Sequence, residues 1–183
     1  MDPKTNPMND ALSELTTSGI NRFQYIPYKM PIALAVVERI AKSIEPEFSF
    51  TPEVEIVYRK LVQWFHGDPE YQDSLTKGIM LMGPTGTGKT LAMKIMKVYR
   101  EIDNIMFRFD GKIHKLYYEV IDVNHIVSCF VQKAFDGINQ FTTRNVLCLD
   151  DLGSESQYAN RFGNKVDVIS FIISERYQKQ LLT

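Results

Sequence analysis

With 183 residues, 44% hydrophobic and 23% charged, the chain has enough apolar material for one well-buried core, and its composition excludes wholesale disorder. A formal net charge of −1 and a pI near 6.3 exclude a global electrostatic footprint for nucleic acid, so DNA contact is expected only from a local basic face or an assembly. The two cysteines, Cys129 and Cys148, sit in apolar contexts and read as buried reduced thiols. No apolar run reaches the roughly 20 residues of a membrane span, and the start Met1-Asp-Pro-Lys-Thr-Asn-Pro7 lacks signal-peptide character, so a cytoplasmic protein with no membrane partner is expected.

Residues 1–50 read as an N-terminal extension, polar and loose at first, then helical. The aromatic stretch Asn21 to Met30 is expected to dock on the domain through Phe23, Tyr25 and Tyr28. Pro31 to Ile44 carries a proline at the first helical turn and apolar residues at helical spacing, and Pro46 ends it. A second helix starts with Thr51 as cap and Pro52 in its first turn, burying Val54, Val57, Leu61, Trp64 and Phe65. After a Gly67-Asp-Pro69 turn and a polar link, Gly78-Ile-Met-Leu-Met82 reads as a short buried strand, followed beyond a loop by a helix over Leu91–Tyr99. Ile105–Phe109 and Ile113–Ile121 flank Asp110-Gly111, a strong hairpin signal. Asn124 to about Ile138 reads as a helix, Asn145–Asp150 as a buried strand ending in acid, and Asn164 to Leu182 as an amphipathic helix burying Val166, Ile169, Ile172, Ile173 and Tyr177. Strands alternating with helices predict an α/β fold of three αβα layers with a largely parallel sheet, whose ligands bind beyond the carboxyl ends of the strands.

Two segments lie at such ends. Gly83-Pro-Thr-Gly-Thr-Gly-Lys-Thr90 matches the phosphate-binding pattern G-x-x-x-x-G-K-S/T at every fixed position, between an expected strand and an expected helix. Its glycines let backbone N–H groups wrap an anion, and the helix start adds unpaired N–H groups and a positive dipole end. Lys89 would reach the β and γ phosphates, and the Thr90 hydroxyl would ligate Mg²⁺. The nucleotide-binding set is thus Gly83, Pro84, Thr85, Gly86, Thr87, Gly88, Lys89, Thr90 and Leu91, with ATP and Mg²⁺ as the expected cofactors. The competing reading is an ordinary glycine-rich turn with a chance lysine, which the strand, loop and helix order argues against.

The second segment, Val146-Leu-Cys-Leu-Asp150-Asp151, has the form of a Walker B strand. Asp150 would hold Mg²⁺, and Asp151 would orient and deprotonate an attacking water, so Lys89 and Asp151 are the catalytic candidates. A glutamate is more usual at the second acid, and aspartate is one methylene shorter. A strand ending in two solvated acids is the bland alternative.

The run Gly78 to Thr90, its spacing to Leu147-Cys-Leu-Asp-Asp-Leu-Gly153, and the later Phe171-Ile-Ile-Ser-Glu-Arg-Tyr177 together resemble the DnaC/IstB-type AAA+ ATPases, helicase loaders and transposition helpers, from about Phe48 to Thr183. The resemblance implies an ATPase core over residues 51–183 that assembles with itself or with a replicative helicase and touches single-stranded DNA. It also implies a γ-phosphate-sensing residue on a later strand and an arginine reaching a neighbouring subunit's nucleotide. Arg161 and Arg176 are the available arginines, and both read better as structural or surface groups. In such a sheet the strand between the phosphate-loop strand and the Walker B strand comes later in sequence, so a core lacking its C-terminal strands and lid is expected, as a piece of a longer protein or a frame needing a partner.

A helicase loader of DNA replication is the first functional expectation. A transposition helper ATPase, a nucleotide-gated adaptor without turnover and a P-loop small-molecule kinase are the alternatives, the last disfavoured by Asp151. Local candidates for DNA contact are Lys94, Lys97 and Arg100 on the helix after the phosphate loop, and Lys112, His114 and Lys115 on the hairpin; a solvated face is the competing reading.

Overall fold

A computed structural model describes residues 22–23, 25–109, 112–155, 159–161 and 164–183. In chain order these form β1 (Arg22–Phe23), α1 (Met30–Ile44), α2 (Pro52–Phe65), α3 (Lys89–Ile102), β2 (Met106–Phe109), β3 (Lys112–Lys115), β4 (Val120–Asp122), α4 (Val123–Thr143), β5 (Cys148–Asp150), β6 (Ala159–Arg161), β7 (Asn164–Val166) and α5 (Val168–Gln178). The expected loose start, residues 1–21, and the Asp110-Gly111 turn lie outside the described residues.

A small parallel pair organises the rest. β4 and β5 align Val120 with Cys148, Ile121 with Leu149 and Asp122 with Asp150. Successive side chains of a strand point to opposite faces. Val120, Val146 and Cys148 accordingly pack with α1, α2 and α3 around Val37, Val62, Ile95, Met96 and Tyr99. Ile121, Leu147 and Leu149 pack with α4 and α5 around Ile126, Ile138, Phe141 and Ile172 on the other side. The protein is therefore a mixed α/β structure with the parallel pair between two helical groups. The expected largely parallel sheet is not what forms among the described residues: β1, β2 and β3 make an antiparallel sheet, and β6 and β7 an antiparallel hairpin.

The helix starts follow local chemistry. Thr51 Oγ1 accepts from the Val54 amide at 3.4 Å, and Glu53 and Glu55 sit near the positive end of α2. The buried row of α2 runs through Tyr58, Leu61, Val62 and Phe65 with Val54 partly covered, whereas the expected Val57 faces outward. One step of helical rotation puts Tyr58 on the inner face in its place. The segment before α1 docks through a two-way clamp: the Ile26 amide donates to the His66 carbonyl at 3.0 Å, and His66 Nδ1 donates to the Ile26 carbonyl at 2.9 Å. Tyr28 stacks on the His66 ring at 4.2 Å and donates to Asp68 at 2.6 Å, so Tyr28 docks as expected while Tyr25 stays half exposed.

Three expectations are corrected. The segment Ile113–Ile121 is not one strand: all of β3 is exposed, Leu116 and Tyr118 turn into the first core, and Val120–Asp122 leaves to pair with β5. Gly78–Met82 is not a buried strand: Ile79 and Leu81 pack on the first core, but Met80 and Met82 are 68% and 83% exposed, and among the described residues no strand pairs with the segment. The last helix starts at Val168, where Asp167 Oδ1 accepts from the Ser170 amide at 3.0 Å, because Asn164–Val166 is drawn into the β6–β7 hairpin. Its buried face is Val168, Ile169, Ile172 and Arg176, while Ile173 and Tyr177 point outward.

Arg176 is fully buried, yet each of its three guanidinium nitrogens donates a hydrogen bond. Its guanidinium donates to the Phe141 carbonyl at 2.9 Å, the Arg144 carbonyl at 2.7 Å, Thr183 Oγ1 at 2.8 Å and the Leu182 carbonyl. Burial, helped by nearby Arg144, lowers its pKa to about 10, so it stays charged at neutral pH. Arg176→Leu strands buried carbonyls and should cost about 3 kcal/mol or more in urea unfolding. A loss under about 1 kcal/mol would show that these contacts are not holding the C-terminal residues.

Candidate functional site

Ile79 and Leu81 are anchored in the first core and deliver the chain to Gly83 at its edge. Gly86 and Gly88 then adopt left-handed backbone, φ 83° and 84°, with open space where a Cβ would sit. The constraint there is conformational rather than one of room, and a non-glycine residue costs roughly 1–2 kcal/mol in that region. Gly88 caps α3 and offers no side chain to its first turn, whose first intrahelical bond runs from the Ala92 amide to the Gly88 carbonyl at 2.8 Å. The amides of Lys89, Thr90 and Leu91 precede it and have no partner within the helix. They stand at the positive end of a helix held in the core by Ala92, Ile95, Met96 and Tyr99.

The loop is held by its own side chains. Lys89 Nζ donates to the carbonyls of Gly83 and Pro84, each at 2.8 Å, and Thr87 Oγ1 donates to the Pro84 carbonyl at 2.8 Å. Gly83 to Thr87 are exposed, and Gly88 to Leu91 half-buried. Sixty residues on in the chain, Asp150 at the carboxyl end of β5 accepts from Thr90 Oγ1 at 2.8 Å. The two residues expected to share a metal are therefore in direct contact. Asp150 Oδ1 also accepts from the Asp151 amide at 3.1 Å. Asp151 itself is exposed with left-handed backbone, φ 56°, so the chain turns sharply away just after the strand.

This donor set suits Mg²⁺, which commonly takes one or two protein oxygens and completes its shell with phosphates and water. Thr90 and Asp150 would hold it; among the described residues no group of three or more His, Cys, Asp or Glu forms a metal cage.

Three further polar residues support the site and were not singled out from the sequence. Asp122 stands in register beside Asp150 and caps α4, accepting from the Asn124 amide at 2.7 Å. Asn124 Nδ2 donates to Ser154 Oγ at 2.9 Å, tying the start of α4 to the turn after Asp151. The Asp-Val-Asn run was a legible cap signal, but only the parallel register shows what it faces. Behind the site, Cys148 Sγ lies 2.9 Å from Met93 Sδ on α3. Burial, with a smaller effect of Asp150, raises the Cys148 thiol from 9.0 to about 12.

The basic candidates fare unequally. Lys94 is exposed and Lys97 half-buried, but Arg100 is buried, donating to the Leu116 carbonyl at 2.6 Å, so these three do not share an exposed face. Lys112, His114 and Lys115 are all exposed on β3. Arg176 is interior and structural, as expected; the Arg161 side chain lies outside the described residues. No described helix is long and apolar enough to cross a membrane.

Gly88→Ala should lower stability by about 1–2 kcal/mol in thermal unfolding, although its Cβ meets no atom. An unchanged melting temperature would show that the left-handed cap is not required. At pH 8 a thiol raised from 9.0 to about 12 has roughly a thousandfold less thiolate, so Cys148 should resist iodoacetamide in the folded protein and react once unfolded. Mass mapping of the labelled cysteines checks this, and rapid native labelling of Cys148 would contradict it. Comparisons with known proteins give no matching family model, curated protein or solved structure, so the resemblance to DnaC/IstB-type ATPases rests on the motifs alone.

Proposed function

We propose that this chain binds ATP with Mg²⁺ at Gly83–Leu91 and acts as an ATPase of the helicase-loader type in DNA replication. The observation that carries the reading is the 2.8 Å bond between Thr90 Oγ1 and Asp150 Oδ1, which joins the glycine-rich loop to the acid-tipped strand. An isolated glycine-rich turn has no reason to bring a distant carboxylate onto its threonine.

In this reading the amides of Gly86 to Leu91 face the phosphates, and the positive end of α3 favours their charge. Lys89 contributes an ammonium donor to the β and γ oxygens. Thr90 and Asp150 hold Mg²⁺, which when bound neutralises charge on the transferred phosphoryl group. Asp151 orients the attacking water and accepts its proton. A replicative helicase or further copies of the chain are the partners, with single-stranded DNA contacting exposed Lys112, His114 and Lys115.

The geometry of Asp151 favours a second reading, a nucleotide-gated adaptor that binds without turnover. Its exposed carboxylate follows a left-handed turn and is short for the role. The transposition helper and small-molecule kinase alternatives draw no specific support from the site.

ATP binding by calorimetry is expected to need Mg²⁺ and to weaken about tenfold to a hundredfold in Lys89→Ala, the loss of charge-assisted bonds. Undiminished binding in that variant would sink the nucleotide site. Turnover that rises with single-stranded DNA and disappears in Asp151→Asn supports the ATPase. Binding without turnover in both wild type and Asp151→Asn supports the adaptor.

A further inference from the structure

Away from the phosphate loop, a cleft of about 430 Å³ opens between α3, β4 and both halves of α4, a volume that suits a small molecule. A broken helix makes it. α4 leaves helical geometry at Ala134, φ 53° and ψ −141°, and its second half folds back on the first, so that a Cβ at Gly137 would come within 2.2 Å of the Cys129 carbonyl oxygen. In a straight helix His125 and Gln140 would stand roughly 22 Å apart. Here both line the same cleft. Glu119, Val120, Ile121 and Asp122 line it consecutively, which marks the edge of a strand rather than one face, and β4 pairs only with β5 among the described residues. The buried Phe141 adds an apolar wall. Lys97 of α3 lines the cleft two turns beyond Lys89, roughly 12 Å along the helix, so the cleft is distinct from the phosphate loop.

The acids of the cleft are spent, and the donors are not. Glu119 accepts from Arg144 at 2.6 Å and from the Tyr117 hydroxyl at 2.9 Å, and these two, Arg144 first, hold its carboxyl below the usual carboxylate range. Asp122 Oδ1 accepts from the Asn124 amide. Lys97, by contrast, has no hydrogen-bond or ion-pair partner among the described residues. Gln140 Oε1 accepts from Arg144 at 3.1 Å, which leaves its amide NH₂ available to donate. The Cys129 thiol donates to His125 Nε2 at 3.6 Å, sulfur being the poorer acceptor, so the ring proton sits on Nδ1. Three uncommitted donors from two helices thus line one cleft beside an apolar wall. We propose that this cleft binds a small organic anion, a carboxylate or phosphate monoester on an aromatic or aliphatic body. Lys97, His125 and Gln140 donate to the anionic head, and Phe141 packs against the body. Arg144, pinned by Glu119 and Gln140, adds a fixed positive charge. The assignment is independent of what the phosphate loop binds.

Titration of the full chain with phenyl phosphate and with benzoate, followed by amide NMR shifts, tests the assignment. At least one probe is expected to give saturable shifts over residues 97, 119–125 and 140–144, with a dissociation constant of about 1 mM or tighter. The tighter probe identifies the head group. Lys97→Met is expected to weaken binding about tenfold, the loss of one charge-assisted contact, whereas Lys89→Ala is expected to leave it unchanged. Absence of saturation by both probes overturns the proposal. Equal binding of benzyl alcohol, which carries the body without the charge, also overturns it. So does binding that Lys89→Ala abolishes and Lys97→Met leaves intact, which would place the probe on the phosphate loop. Gly137→Val, which forces the two halves of α4 apart, is expected to remove binding while the amides of α1 and α2 keep their shifts. Undiminished binding in that variant counts against the cleft as the site.

Discussion

A single buried guanidinium sets the geometry on which the candidate site depends. Arg176 brings together the end of α4, the end of α5 and the last residues of the chain by donating to three carbonyls and one hydroxyl. An arginine without those acceptors would not remain in the interior, because burying an unpaired charge costs far more than any packing gain. Its hold on Leu182 is passed to the Leu147 amide and along β5 to Asp150, which meets Thr90. A structural residue far from the phosphate loop in sequence thus helps determine where the loop's acidic partner stands.

The same chain of contacts explains why the site lies on a boundary. α3 belongs to the core built with α1 and α2, whereas alternate residues of β4 and β5 face the core built with α4 and α5. Thr90 comes from the first assembly, and Asp150 from the strand shared by both. Asp122 and Asn124 add a second tie, between the start of α4 and the turn holding Ser154.

Much of this was legible in the sequence where the signal was local. Thr51 with Pro52, the positive-φ glycines of the loop, and the acid at the end of Val146–Asp150 each carry their own physical reason, and each appears where expected. The failures share a different cause. Gly78–Met82 has the composition of a strand, but a strand is defined by its neighbour, and among the described residues none pairs with it. Tyr177 continues the apolar spacing of the last helix, but the buried row passes through Arg176 because three carbonyls and a hydroxyl wait there. Arg100 looked like part of a basic face, but the Leu116 carbonyl and two tyrosine rings take it inward. Long-range acceptors decided these cases, and no helical periodicity encodes them.

Lys89 spends two of the three donors of its ammonium on the carbonyls of Gly83 and Pro84, so it spans the loop like a strut. That leaves a third donor for an anion in the proposed role, with those two bonds kept. In the proposed nucleotide-binding role the loop would be shaped before a ligand arrives, with little ordering entropy left to lose on association. It also follows that removing this lysine deletes a brace together with a charge, so the measured deficit of any substitution there sums two effects that a single variant cannot apportion.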